Sequence, residues 1–383
     1  MGNSTTSIGR IISVSVGWML WVILGAAAFD FGAQEIPLFN EMDVSISSPS
    51  PSVSGLFVLG DSSVDCGANT LFYPLLHRTL SLLPCNGSDA SLLPQLLAAR
   101  MGFKNMSTFY LQNGTIREMV SGIIFGSAQA TIMNLPSSQT HQSLNQQLRQ
   151  AFETLQLLHL QLGPHDAQRI IESSIFYLSF GKEDYLNHNF SNLNRYTAQQ
   201  FAHILVDQMT VAIKNLYNAN GRKFICMGVL PLGCAPRTMW ERQSMDYMTN
   251  YDTIYCIEDV NQLVLEYNKL LEQRITDLNR ELTNVQITFC DVYEGIMQII
   301  INPESYGFED AKSACCGNGW RGGRVGCESM KMACPMESSH VWWDFYNPTH
   351  AVNSLLADSA WSGHPFPNLC RPMSVQDLAS SSP

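Results

Sequence analysis

The segment LFVLGDSSVDCGAN, residues 56–69, carries an apolar run into Gly60-Asp61-Ser62. A serine at the end of a buried strand can attack a carbonyl when a neighbouring base takes its proton. Gly, Asp, Ser and Asn are also ordinary turn residues, so this segment alone does not separate a nucleophile from a turn. A second polar cluster widens the question: Gly181-Lys182-Glu183-Asp184 closes the apolar run 174–181.

Such groups act only if the chain brings them together. Strand-like runs at 55–60, 174–181, 223–230 and 285–291 are short, rich in Phe, Ile or Val, and closed by Gly, Pro or polar residues. Helical stretches lie between them: LLPQLLAARMG, SLNQQLRQAFETLQLLHLQLG, QQFAHILVDQMTVAIKNLYNANG with its stop at Gly221, and IEDVNQLVLEYNKLLEQRITDLNREL. Strands buried on both faces and alternating with helices predict an α/β domain, a parallel sheet between two helical layers. Sheets of this kind place ligands beyond the carboxyl ends of their strands. Ser62 and the 181–184 cluster each follow such a run, so both are expected at one edge, and Ser62 gains weight as a site residue.

Composition bounds the partners. The chain has 383 residues with 45% hydrophobic content, ample for a full core, and a net charge of -11 that argues against nucleic acid. Arg10 precedes IISVSVGWMLWVILGAAAF, which reads as a signal peptide cleaved near Ala28. The same run could remain as a membrane anchor, and Gly2 with Thr6 fits an N-myristoylation pattern. Sequons at Asn86, Asn105, Asn113 and Asn189, with 11 cysteines, favour a lumenal route and secretion without a retained span. Residues 29–54 read as a flexible Ser/Pro-rich lead-in, 55–372 as one domain and 373–383 as a C-terminal tail. An odd cysteine count leaves at least one thiol unpaired within the chain. Cys315, Cys316, Cys327 and Cys334 have spacings that zinc can use, but disulfides are expected in an oxidising compartment without clustered histidines. Cys234 with Cys256, and Cys327 with Cys315 or Cys316, are the expected bridges.

The blocks GDSSVDCGAN at 60–69, VLPLGCAPR at 229–237, CIEDVNQLVLEYNKLL at 256–271, NPESYGFEDAKSACCGNG at 302–319 and WWDFYNPTHAVN at 342–353 resemble the plant GDSL esterase/lipases, within the SGNH hydrolases. The resemblance spans residues 55–372 in the family's order. It implies a three-layer α/β/α sandwich with a flavodoxin-like sheet, secretion, an ester ligand of lipid or cell-wall type, a monomer, and hydrolysis without metal or organic cofactor.

It also assigns roles. Ser62 matches the nucleophile and Asp344 the aspartate that orients a histidine three residues later. That histidine's place holds Asn347, and an amide is no general base. The family's GTND block reads Gly181-Lys182-Glu183-Asp184, so Glu183 stands where an asparagine would donate to the oxyanion; a carboxylate donates nothing. The block GVNFASGGA reads GIIFGSAQA at 122–130, leaving the backbone N–H of Ala128 or Gln129, with that of Ser62, as oxyanion donors. His350, one helical turn beyond Asn347, is the candidate substitute base, and His340 a weaker one; for each the favoured reading is a surface histidine. A buried Glu183 is a further candidate base. Three functions follow: a secreted esterase with an altered site, a hydrolase scaffold that binds an ester without turnover, or a structural glycoprotein.

Overall fold

The structure is a computed structural model that describes residues 53–65, 92–103, 106–110, 112, 114–133, 142–187, 195–245, 255–327 and 330–382. The leader, the body of the lead-in and all four sequon asparagines lie outside them. The strands are β1 (Leu56–Gly60), β2 (Ser107–Thr108), β3 (Ile123–Ile124), β4 (Ile175–Ser179), β5 (Lys223–Met227), β6 (Gln286–Cys290), β7 (Asp310–Ala314), β8 (His340–Trp342) and β9 (Cys370–Arg371). The helices are α1 (Leu93–Arg100), α2 (Ile116–Ser121), α3 (Leu144–Leu162), α4 (Pro164–Ser173), α5 (Lys182–Asn187), α6 (Arg195–Asn218), α7 (Pro236–Met245), α8 (Glu258–Glu281), α9 (Val292–Ile301), α10 (His350–Ser362) and α11 (Val375–Ser380). None of the described helices is long and apolar enough to cross a membrane.

The seven-stranded sheet runs β2-β3-β1-β4-β5-β6-β9. All neighbours are parallel except β6 and β9, which pair antiparallel. Without its two edge strands the order is second, first, third, fourth, fifth, the flavodoxin-like arrangement. Every residue of β1, β4 and β5 is buried, because α3, α6 and α8 pack on one face and α1, α9, α10 and α11 on the other. Three layers result, as the alternating pattern and the resemblance implied.

Two features add to the sequence reading. The sheet is not wholly parallel, since Cys370 pairs with Cys290 in register and is bonded to it through sulfur. Residues 373–382, read as a tail, return to the sheet. Ser374 caps α11, whose Val375, Leu378 and Ala379 are buried. The buried Lys223 ammonium donates to the Ser381 carbonyl at 2.6 Å. A short amphipathic segment after a Pro gives no periodicity long enough to read.

The helix starts are chemically marked. Ser143 and Gln146 form a capping box on α3, Asp291 caps α9, and Thr349 caps α10. Four disulfides join Cys234 to Cys256, Cys290 to Cys370, Cys315 to Cys334 and Cys316 to Cys327. The first and last agree with expectation, and all four cysteines of the possible zinc set are paired with one another. Cys226, buried in β5, is the free thiol among the described residues.

Candidate active site

The parallel register of β1 and β4 aligns Gly60 with Ser179. Ser62 and Glu183 therefore leave the same sheet edge from adjacent strands, at the point where the strand order reverses. The turn after β1 is tight: a Cβ on Gly60 would lie 2.6 Å from a Val64 methyl and 2.7 Å from the Ser179 carbonyl. Gln147, from α3, clamps this strand end by donating to the Gly60 carbonyl and accepting from its N–H, both at 2.9 Å. Asp61 accepts from the Ser63 amide at 2.9 Å, and the Asp61 carbonyl accepts from Val64 at 3.1 Å.

Beyond that turn the Ser62 hydroxyl donates to a carboxylate oxygen of Glu183. Glu183 lies in the first turn of α5, which starts after Gly181 at a φ of 114°. Lys182, only 3% exposed, donates from Nζ to Asn347 Oδ1 at 2.7 Å. Asn347 Nδ2 in turn lies 3.0 Å from both Asp344 oxygens. The same carboxylate accepts from the backbone amides of Tyr346 at 3.0 Å and Asn347 at 2.8 Å. This loop follows β8, whose partner strand β7 leads into the two disulfides at 315 and 316.

Four acids crowd this edge. Burial raises the pKa of Asp61, Lys182 offsetting part of the effect. Burial likewise raises Glu183, with Lys182 opposing and Asp61 and Asp344 reinforcing. Asp184 is pushed by burial up to about 7 although it accepts from the Ile132 and Met133 amides, each at 2.9 Å. A cavity of about 50 Å³ adjoins the cluster. Asp61, Ser63, Lys182 and Asn347 form its polar end, while Phe180, Leu230 and Leu356 are among its apolar walls.

Ser62, Glu183, Asp344 and Asn347 all fall inside residues 56–360, the span matched by the family model for GDSL-like lipase/acylhydrolase. The chain belongs to this family. Curated relatives in Arabidopsis thaliana agree in extent. GDSL esterase/lipase At1g71691 is 30% identical over 352 residues, 86% of this chain and 86% of its own. GDSL esterase/lipase At1g71250 is 29% identical, covering 85% of this chain and 89% of the relative. GDSL esterase/lipase 7 is 26% identical, with 86% and 93% covered. The likeness drawn from five sequence blocks to the plant GDSL esterase/lipases holds.

Within this GDSL-like fold the site residues expected from sequence divide. Ser62 meets Glu183, and Asp344 meets Asn347. Ala128 does not present a free donor: its N–H is taken by the buried Asp65 carboxylate at 2.9 Å. Gln129 is exposed and holds a φ of 64° in the turn closed by Ala130 N–H to Ser127 O at 3.0 Å. No hydrogen bond joins His350 to Ser62, both of them described residues. Thr349 caps α10 one residue earlier, so the imidazole sits on the first turn and meets Ser354 at 3.4 Å. His340 is held elsewhere, its Nδ1 3.2 Å from the Met336 carbonyl and from the Ser339 hydroxyl. Sequence reasoning missed Lys182, Asp61 and Gln147. Their signal was a buried charge or amide next to a motif, visible only once burial is known.

Proposed function

We propose that this chain is a secreted protein on a GDSL hydrolase scaffold that binds an acyl or acetyl ester, of lipid or cell-wall type, and hydrolyses it weakly. The carrying observation is the placement of Asn347. Its amide is engaged at both ends by Lys182 and Asp344, and the group that accepts from Ser62 is the Glu183 carboxylate. Loss of a triad base costs up to ~10⁶-fold in turnover, and loss of an oxyanion donor ~10²–10³-fold. Membership of the GDSL-like lipase/acylhydrolase family supports an ester ligand.

The test is hydrolysis of p-nitrophenyl acetate and butyrate near pH 7 by wild type and Ser62→Ala, with fluorophosphonate labelling of both. Turnover only slightly above background, which Ser62→Ala lowers to background, is expected. Brisk hydrolysis and labelling that Ser62→Ala abolishes would overturn the weak-hydrolysis reading.

The Ser62–Glu183 hydrogen bond favours one second reading, in which Glu183 is the base. Rate would then climb with pH through the raised pKa of Glu183, and Glu183→Gln would remove it.

A further inference from the structure

We infer that Lys182, Glu183 and Asn347 form one interlocked unit, in which Lys182 decides whether a base at position 347 can accept the Ser62 proton. This rests on the reading that positions 183 and 347 have lost their donor and base, and it adds that restoring those two alone is not enough.

Lys182 begins α5 and is nearly inaccessible to solvent. Its charge lowers the pKa of both Asp61 and Glu183 against the rise that burial imposes, so the ammonium and the two acids are electrostatically linked. Removing the acid alone leaves the cation with less compensation and closer electrostatic control of whatever it touches.

What it touches is Asn347. An amide suits that place because it accepts and donates at once: Oδ1 takes the Lys182 N–H at 2.7 Å while Nδ2 gives to Asp344 at 3.0 Å. A neutral imidazole there could donate one N–H to Asp344 and accept from Lys182 with its other nitrogen. Acyl transfer demands more. As the bond from Ser62 Oγ to the ester carbonyl carbon forms, the carbonyl π electrons move to its oxygen and the Ser62 proton moves to the base. The proton later passes to the departing alkoxide. At the proton-accepting stage both imidazole nitrogens carry hydrogen, and one of them would face the Lys182 ammonium, donor against donor and charge against charge. Asp344 favours that cation and Lys182 opposes it. Replacing Glu183 by a neutral amide strengthens the opposition.

The experiment compares Glu183→Asn/Asn347→His with Lys182→Thr/Glu183→Asn/Asn347→His, circular dichroism confirming that each is folded. At pH 7 the triple variant should exceed the double by at least ~10-fold in kcat with little change in KM. By NMR the imidazole introduced at 347 should titrate ~1 pH unit or more lower in the double than in the triple. Lys182→Gln in place of Lys182→Thr keeps a long donor without the charge. It should match the triple variant, and it serves if the threonine variant does not fold. Equal imidazole titration with and without Lys182 overturns the proposal, and so does a gain in kcat over wild type that is the same in the double and triple variants. If no variant gains turnover while the titrations separate as stated, the role of Lys182 stands. It is then the reading of positions 183 and 347 as the missing donor and base that fails.

Discussion

A carboxyl group buried beside other carboxyl groups prefers to keep its proton, and Asp61, Glu183 and Asp184 are all in that position. Asp184 shows the consequence most directly, because its pKa moves from 3.8 to about 7. Below the unfolded value both states are protonated, and the native state bears no penalty. Between about pH 4 and 7 the unfolded chain has released a proton that the native chain retains, so stability falls as pH rises. Asp61 and Glu183 act with the same sign. Thermal melts should therefore show a higher Tm near pH 5 than near pH 8, and a Tm that rises over this interval would refute the assignment. Asp184→Asn should flatten the slope. It should also lower stability by about 1–3 kcal/mol at acidic pH, since one oxygen must now serve the two amides of Ile132 and Met133. None of these shifts was readable from residue types alone. The acids are ordinary in composition and become unusual through burial.

The elements that carry the site were far more legible. Predicted strands at 55–60, 174–181, 223–230 and 285–291 contain β1, β4, β5 and β6, and the four helical stretches contain or overlap α1, α3, α6 and α8. Long apolar periodicity survives tertiary context because the same burial that shapes the core also writes the pattern. Short strands did not survive it. β2, β3 and β9 have two residues each and exist because a neighbour pairs with them. At the turn after β3, the resemblance led to a glycine being expected, and Gln129 occupies a positive φ of 64°. Left-handed backbone costs a non-glycine residue about 1 kcal/mol or more. Gln129→Gly should raise the urea midpoint by an amount worth about 1 kcal/mol, whereas the β-branched Gln129→Val should lower it. Similar midpoints for the two variants would show that the turn stores no such strain.

At the scale of the whole molecule the chain is acidic, cysteine-rich and cross-linked. The Cys290–Cys370 bridge spans 80 residues of sequence and ties the antiparallel edge strand to the sheet. Closing a loop of that length is worth about 4.5 kcal/mol in the chain-entropy account, against about 3 kcal/mol for the short Cys316–Cys327 loop. Such bridges persist in an oxidising compartment, in keeping with the proposed secretory route. Protein purified from its natural source should begin near residue 29 and exceed its polypeptide mass by N-glycans removable with an endoglycosidase. Intact-mass and N-terminal sequencing decide this. A chain that begins at Met1, or at a myristoylated Gly2, would show that the apolar leader is retained.

The sequence by itself determined the layered α/β class, the family and the position of Ser62 at a strand end, and it left the partner of Cys327 open between Cys315 and Cys316. Each rests on a pattern local in the chain: an apolar period, a turn composition, a block of ordered residues. Only the tertiary structure decided which groups face each other. Ser62 meets Glu183 because β1 and β4 are adjacent and in register, although 121 residues separate the pair. Asn347 meets Lys182 across 165 residues because the disulfide-braced segment folds back to the same edge. His350 lies three residues from Asn347 in the chain, and its Nε2 is 3.4 Å from the Ser354 hydroxyl on the same helix. Periodicity reports burial, which a residue carries with it along the chain; contact between distant side chains depends on strand order and register, which no single segment encodes.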